Sequence, residues 1–192
     1  MLKKIKTETV YQNPYLKVDA NTLVDEGGFE AMYYTTTIAD GALIVPIKIQ
    51  NQQISFIFVK QYRAATEGYS LEFPKGAISS GEIPQDAAAR ELQEETGYVA
   101  KWIKPFYFMH SLPSNTSKLF IYLALVEEES RKIRDLDTLE AAANLEVVEV
   151  SADDLLKMIK TNEIVDGQSL AALSAVMLQT GLAAQYLETL GG

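Results

Sequence analysis

Residues 76–98 read GAISSGEIPQDAAARELQEETGY, and the rest of the chain is interpreted outward from this stretch. Pro84 suits the first position of a helix, where its missing N–H loses no hydrogen bond. The alanines of 87–89 favour continuation of that helix. Gly97 suits the left-handed residue that ends a helix. The stretch therefore predicts a helix of about three turns.

Three glutamates stand on one face of this predicted helix. Glu91, Glu94 and Glu95 are at positions i, i+3 and i+4, so their carboxylates lie close together. Like charges in such a cluster repel unless a cation sits among them, and hard divalent ions prefer oxygen ligands. Arg90 offsets only one charge. From the helix alone, a metal site and a solvated acidic face are both open interpretations.

The spacing upstream favours the metal site. Gly76 is followed by five residues and Glu82, and then by seven residues and RELQEETGY. This pattern resembles the Nudix box, G-x5-E-x7-R-E-U-x-E-E-x-G-U with U aliphatic. That box is the signature of Mg-dependent hydrolases of nucleoside diphosphates linked to another group. Every fixed position is present, and the one departure is Tyr98 at the last aliphatic position.

The resemblance implies a divalent-metal site on the helix. It assigns Mg²⁺, with Mn²⁺ as an alternative, to the carboxylates of Glu91, Glu94 and Glu95 and to the backbone carbonyl of Lys75. Glu94 and Glu95 are also expected to be catalytic. The resemblance makes Glu82 and Arg90 braces of this loop and helix.

The resemblance leaves the catalytic base open. In the ADP-ribose branch of the family, a loop before the last strand supplies an acidic residue, but residues 141–143 here are alanines. Glu140 is the neighbouring candidate. The alternatives are that Glu94 is the base, or that a metal-bound hydroxide suffices.

Residues around the box point to the substrate. Pro113 is fifteen residues after Tyr98, where the ADP-ribose branch carries a proline, whereas diadenosine polyphosphate hydrolases carry a tyrosine at the next position, here Ser114. The resemblance thus implies substrate contacts at Pro113 and Ser114. Arg63 suits bidentate phosphate binding, with a surface salt bridge as the alternative. Glu72 is either a substrate or metal-shell contact or a residue that caps the loop.

Composition limits the class of protein and its partners. The 192 residues are 47% apolar, which favours a globular chain with a full core. Seventeen basic and 26 acidic residues give a net charge of −9, which argues against nucleic acid or an anionic membrane as a partner. No apolar run reaches the roughly 20 residues of a membrane span. We expect a cytoplasmic protein. The lack of cysteine excludes disulfides.

The N-terminal residues predict a separate hairpin. Two strand-like runs, 15–24 and 29–37, flank the turn signal Asp-Glu-Gly-Gly. We expect residues 1–38 to form a dimerisation segment that makes the protein a homodimer, and residues 39–192 to form a Nudix hydrolase domain. The alternative is an edge hairpin on the same core.

The remaining pattern predicts an α/β/α sandwich around a mixed sheet, which is also the Nudix fold. The charged segment 127–143 shows no period and is expected to be a mobile loop. Strands are predicted at 42–49, 54–61, 71–73, 99–110, 118–126 and 145–150, and helices at 153–160 and 169–190.

Three hypotheses for function follow. The first is Mg-dependent hydrolysis of the diphosphate linkage of ADP-ribose or related ADP-sugars, giving AMP and a sugar phosphate. The second is the same chemistry acting mainly on NADH or diadenosine oligophosphates. The third is a non-catalytic Nudix domain that senses a nucleotide, which only the alanines of 141–143 favour. In each case the expected ligand is a small molecule linked to a nucleoside diphosphate.

Overall fold

The computed structural model describes residues 1–130, 132–136, 138–142 and 144–180. The strands are β1 Lys3–Gln12, β2 Lys17–Val24, β3 Glu30–Thr37, β4 Gly41–Gln50, β5 Gln53–Arg63, β6 Gly68–Glu72, β7 Lys75–Ala77, β8 Ala100–Met109, β9 Leu119–Val126 and β10 Glu146–Ser151. The helices are α1 Pro84–Thr96, α2 Thr138–Ala142, α3 Ala152–Lys160 and α4 Gly167–Thr180.

The larger sheet is mixed. Its strand order is β10-β5-β4-β9-β8, with β6 paired to β5 and β7 paired to β4. Only the β4–β9 pair is parallel among the described strands of this sheet, and the other pairs are antiparallel. β4 is therefore the strand that holds both β9 and the short strand β7 in place.

Side chains of β4 alternate between two cores, one on each face of the sheet. Leu43 and Val45 face the core that α3 and α4 cover, whereas Ala42 and Ile44 face the core that α1 covers. The helices contribute Leu155 from α3, Ala172, Leu173 and Val176 from α4, and Ala87, Ala88 and Leu92 from α1. This arrangement confirms the predicted α/β/α sandwich with a mixed sheet.

Helix α1 begins and ends where its sequence predicts. Pro84 is in the first turn, and Gly97 adopts the left-handed conformation with φ of 78°. The Gly97 N–H donates to the Gln93 carbonyl at 2.8 Å, which satisfies a carbonyl at the helix end. Tyr98 is 2% exposed in the core beneath α1, so a tyrosine packs where the Nudix box has an aliphatic residue.

The N-terminal sheet contains the predicted hairpin and one further strand. β2 and β3 pair antiparallel, and β1 pairs with β2 on the other side. The sequence prediction missed β1 because the strand is exposed along its length and therefore lacks the apolar alternation of a half-buried strand. Thr36 joins this sheet to the larger domain by donating its N–H to the Ser114 carbonyl at 2.8 Å.

Segment 127–143 is more structured than predicted. Its described residues contain a 3₁₀ turn, Glu128–Ser130, and the helix α2. The Lys132 N–H donates to the Gly97 carbonyl at 2.7 Å, so this segment is attached to the end of α1. The expected mobile loop thus contains short helical elements, which the sequence did not predict because elements this short show no helical period.

The last predicted helix begins two residues earlier than expected. Asp166 accepts a hydrogen bond from the Ser169 N–H at 2.9 Å and so caps α4. The predicted residues 181–190 of this helix lie outside the described part of the chain. Within the described part, no helix is both long enough and apolar enough to cross a membrane.

Candidate active site

The α1 glutamates lie beside β7. Glu91 and Glu95 are buried, with 6% and 2% of their surface exposed, and the Glu94 side chain is 31% exposed. A Cβ added to Gly76 would collide with the Glu91 carboxylate. Glycine at position 76 thus allows a carboxylate to approach the backbone of the strand closely.

Arg90 uses all five of its N–H groups in this site. Nη1 donates to Glu91 at 2.7 Å and to Glu94 at 2.9 Å. Nε and Nη2 donate to the two oxygens of Glu82 at 2.9 and 3.1 Å, and Nη2 also reaches the Ala77 carbonyl at 3.1 Å. Hydrogen bonds from Arg90 and then from the Ser79 N–H lower the pKa of Glu82 to about 2. Glu82 is therefore ionised at neutral pH.

A second charged group continues from β7 to β6, the strand that precedes it in the chain. The backbone N–H of Lys75 donates to Glu95 at 3.2 Å. The side-chain ammonium of Lys75 lies 2.9 Å from Glu72 and 3.0 Å from Asp166. Arg63 Nε and Nη2 donate to the two oxygens of Glu72 at 2.8 and 2.6 Å. This bidentate pair fixes the plane of the guanidinium.

Glu72 is held ionised despite its burial. Its side chain is only 3% exposed, and burial alone raises its pKa. The hydrogen bonds from Arg63 and the charge of Lys75 outweigh burial and lower the pKa to about 2. Arg63 Nη1 has no hydrogen-bond partner among the described residues. Arg63 thus keeps donors available for a ligand.

Two adjoining clefts meet at Arg63 and Lys75. The first has a volume of about 490 Å³ and runs past Gly76 and Ala77 to the turn between β1 and β2. The second has a volume of about 890 Å³ and runs between β6 and the start of α4. The clefts share Arg63, Lys75, Ser111 and Gln168. A ligand that spans both clefts would pass over this cationic junction.

Comparison with known proteins gives the family. The NUDIX domain family matches residues 38–173. An ADP-ribose pyrophosphatase of Bacillus subtilis (strain 168) is 35% identical over 131 residues, which cover 67% of this chain and 69% of that protein. The chain belongs to the Nudix family. The predictions of family, fold and hydrolase class are therefore confirmed.

Two further similarities cover nearly the whole Nudix chain. A methanol dehydrogenase activator of Bacillus methanolicus is 26% identical, with 94% of this chain and 95% of that protein covered. A crystal structure of an ADP compounds hydrolase superposes with a TM-score of 0.77 at 22% identity, and covers 96% of this chain and 95% of that chain. The second similarity supports the fold, including the N-terminal sheet.

The structure brings together most of the residues that the sequence predicted for the site. Glu72 contacts both Arg63 and Lys75, and the Lys75 N–H also donates to Glu95. Glu91 and Glu94 both accept from Arg90. Pro113 and Ser114 lie outside the lining of both clefts. Their carbonyls accept hydrogen bonds from Tyr33 Oη and the Thr36 N–H. The backbone of Glu140 is in α2, and its side chain is outside the described part of the structure.

The donor atoms fit a hard divalent ion. Glu91, Glu94 and Glu95 offer carboxylate oxygens, the ligands that Mg²⁺ and Mn²⁺ take, and the glycine at 76 leaves room for them against β7. Among the described residues, no three acidic or histidine side chains converge on one metal position. Arg90 instead lies between Glu91 and Glu94.

The sequence did not predict several polar residues of the clefts, among them Ser111, Asp166 and Gln168. Asp166 binds Lys75, and Gln168 Nε2 donates to Ser111 Oγ at 3.0 Å across the junction. An Asp-x-x-Ser pattern at 166–169 signals a helix N-terminus, and it marks Asp166 only as a cap. Its contact with Lys75 has no local signal.

Replacement of Gly76 by alanine tests the packing of the site. We predict that Gly76→Ala lowers the free energy of unfolding by about 1–3 kcal/mol, because the methyl group forces Glu91 and β7 apart. Gly167→Ala is the matched control, since a Cβ at Gly167 meets no atom within 4 Å. Urea denaturation measures both. Equal stability of the two variants would show that Glu91 does not pack against residue 76.

Proposed function

We propose that this Nudix protein hydrolyses the diphosphate linkage of ADP-ribose or a related ADP-sugar, giving AMP and a sugar phosphate, in a reaction that requires Mg²⁺ or Mn²⁺. The observation that carries this proposal is the α1 carboxylate cluster beside Gly76, at the edge of a cleft that Arg63 also lines. The name of the Bacillus subtilis relative and the residue at position 113 support the substrate class.

The metal would be held by the carboxylates of Glu91, Glu94 and Glu95 and by the backbone carbonyl of Lys75. When bound, it supplies charge neutralisation at the phosphates and activation of a water molecule. The protein's own part is to hold the carboxylates in place. Arg90 offsets their repulsion on one side of α1, and the Lys75 N–H fixes Glu95 on the other.

Arg63 would bind a phosphate of the substrate. Glu72 fixes the guanidinium through Nε and Nη2, which leaves Nη1 for the substrate. Glu72 then acts by orienting Arg63. Pro113 and Ser114 stay proposed substrate contacts. Because the Ser114 carbonyl accepts from Thr36, a contact from Ser114 would use its hydroxyl.

Loss of one buried carboxylate tests the metal site. We predict that Glu95→Gln lowers the rate of AMP release from ADP-ribose at saturating Mg²⁺ more than tenfold, since a neutral amide stabilises the metal by several kcal/mol less. Glu163→Gln, at an exposed glutamate after α3, is the control and should keep the wild-type rate. A Glu95→Gln enzyme that retains over about a tenth of the activity would contradict the assignment.

The substrate class is tested by a panel of ADP-ribose, ADP-glucose, NADH and diadenosine triphosphate with Mg²⁺, scored by AMP release. We predict the highest kcat/KM for ADP-ribose or ADP-glucose. Highest turnover of NADH or the dinucleotide would favour the alternative pyrophosphatase function. Absence of turnover with all four would favour a nucleotide-sensing domain.

The catalytic base is proposed to be Glu140 or Glu94. If it is Glu140, Glu140→Gln should lower kcat strongly and leave KM and Mg²⁺ affinity nearly unchanged, because proton abstraction occurs only in the transition state. Glu94→Gln should then lower Mg²⁺ affinity as well. Steady-state kinetics with a Mg²⁺ titration separates the two. Normal kcat in Glu140→Gln beside a crippled Glu94→Gln would place the base on α1.

We also propose that residues 1–38 pair two protomers. Apolar side chains on the N-terminal sheet are exposed, among them Ile5 and Val10 of β1 and Met32 of β3. A twofold contact between such sheets would cover them. The cytoplasmic location expected from the sequence stays a prediction.

Charge on β1 tests this pairing. We predict a dimeric mass for the wild type by light scattering at micromolar concentration, and a monomeric mass for Ile5→Asp/Val10→Asp, since buried unpaired carboxylates oppose association. Ile49→Asp is the control, because Ile49 is 58% exposed on the larger sheet. A monomeric wild type would refute the proposal.

A further inference from the structure

Four charged side chains form a neutral group at the junction of the two clefts. Arg63 and Lys75 carry positive charge, and Glu72 and Asp166 carry negative charge. The side chains of Glu72, Lys75 and Asp166 are only 3%, 15% and 16% exposed. Removal of one of these three shielded partners leaves an uncompensated charge. The net charge of this group therefore affects the electrostatic potential at neighbouring residues.

Asp166 has two separable tasks in this group. Its Oδ2 accepts from the Ser169 N–H at 2.9 Å and from Ser169 Oγ at 2.6 Å, and these bonds cap α4. The same oxygen accepts from the Lys75 ammonium at 3.0 Å. An uncharged amide oxygen is sufficient for the cap, because asparagine caps helices as well as aspartate does. Only neutralisation of the Lys75 ammonium requires the negative charge.

The group lies next to the carboxylates of α1. The backbone N–H of Lys75 donates to Glu95 at 3.2 Å, and Lys75 directly precedes Gly76, against which Glu91 packs. The pKa of Arg63 is raised by its hydrogen bonds to Glu72, and the charges of Glu95 and Asp166 raise it further. Arg63 therefore interacts electrostatically with Asp166 on one side of the junction and with Glu95 on the other.

We propose that Asp166 is a positioning residue for divalent-ion binding: it neutralises the Lys75 ammonium and, together with Glu72, holds it in place. The inference rests on the proposed metal-dependent function. Without the negative charge of Asp166, the ammonium competes with a divalent cation for the carboxylates of α1. The charge at position 166 then sets metal affinity although Asp166 is not itself a ligand.

Metal titration without substrate tests this role. Asp166→Asn keeps an oxygen for the cap and removes the charge, and we expect it to weaken Mn²⁺ binding roughly tenfold by isothermal titration calorimetry. The double variant Lys75→Met/Asp166→Asn should restore the wild-type affinity, because the ammonium is gone and the group is again neutral. The backbone carbonyl of Lys75 is kept in this variant.

A matched control and the contrary outcomes complete the test. Asp154→Asn, in the first turn of α3, removes a carboxylate that also pairs with a lysine, Lys157, and should leave Mn²⁺ affinity unchanged. Unchanged affinity in Asp166→Asn would overturn this inference alone, as would a loss that Lys75→Met fails to rescue, since that loss would be structural. A wild-type protein without Mn²⁺ binding would overturn both this inference and the proposed function.

Discussion

The hydrogen bonds of Arg90 are the interaction on which the site depends. A single guanidinium binds two glutamates of α1, the glutamate of the preceding loop and the backbone carbonyl of Ala77 at the end of β7. Three carboxylates so close together would otherwise repel one another. The planar fork of arginine reaches all of these acceptors at once, which a lysine ammonium does not. Loop and helix are thereby joined as one unit.

The apolar face of α1 fixes this loop–helix unit to the sheet. Leu92 packs in the core between α1 and the sheet, and its neighbours Glu91 and Glu95 consequently face β7. On the other side, β6 and α4 hold the charged group around Lys75. These elements thus fix the carboxylates relative to Arg63, as the proposed metal-dependent site requires.

Local signals in the sequence predicted the parts of the fold that have local causes. Pro84 and Gly97 define α1 because each fixes its own backbone conformation. β1 was not predicted, because it is a strand through its pairing with β2 and not through burial of an apolar face. The ion-pair partners of charged side chains could not be predicted from local sequence either. Lys75 and Asp166 are 91 residues apart. They come together because the start of α4 packs against the chain between β6 and β7, where Ser169 Oγ accepts from the Phe73 N–H.

The most direct test of the proposed metal site is a crystal structure of the protein soaked with Mn²⁺, with the ion located by anomalous scattering. We predict an ion bonded to the carboxylates of Glu91 and Glu95 beside Gly76, at roughly 2.0–2.6 Å, the range of hard divalent cations. An ion bound elsewhere, with none on the α1 carboxylates, would contradict the assignment of this helix face as the metal site.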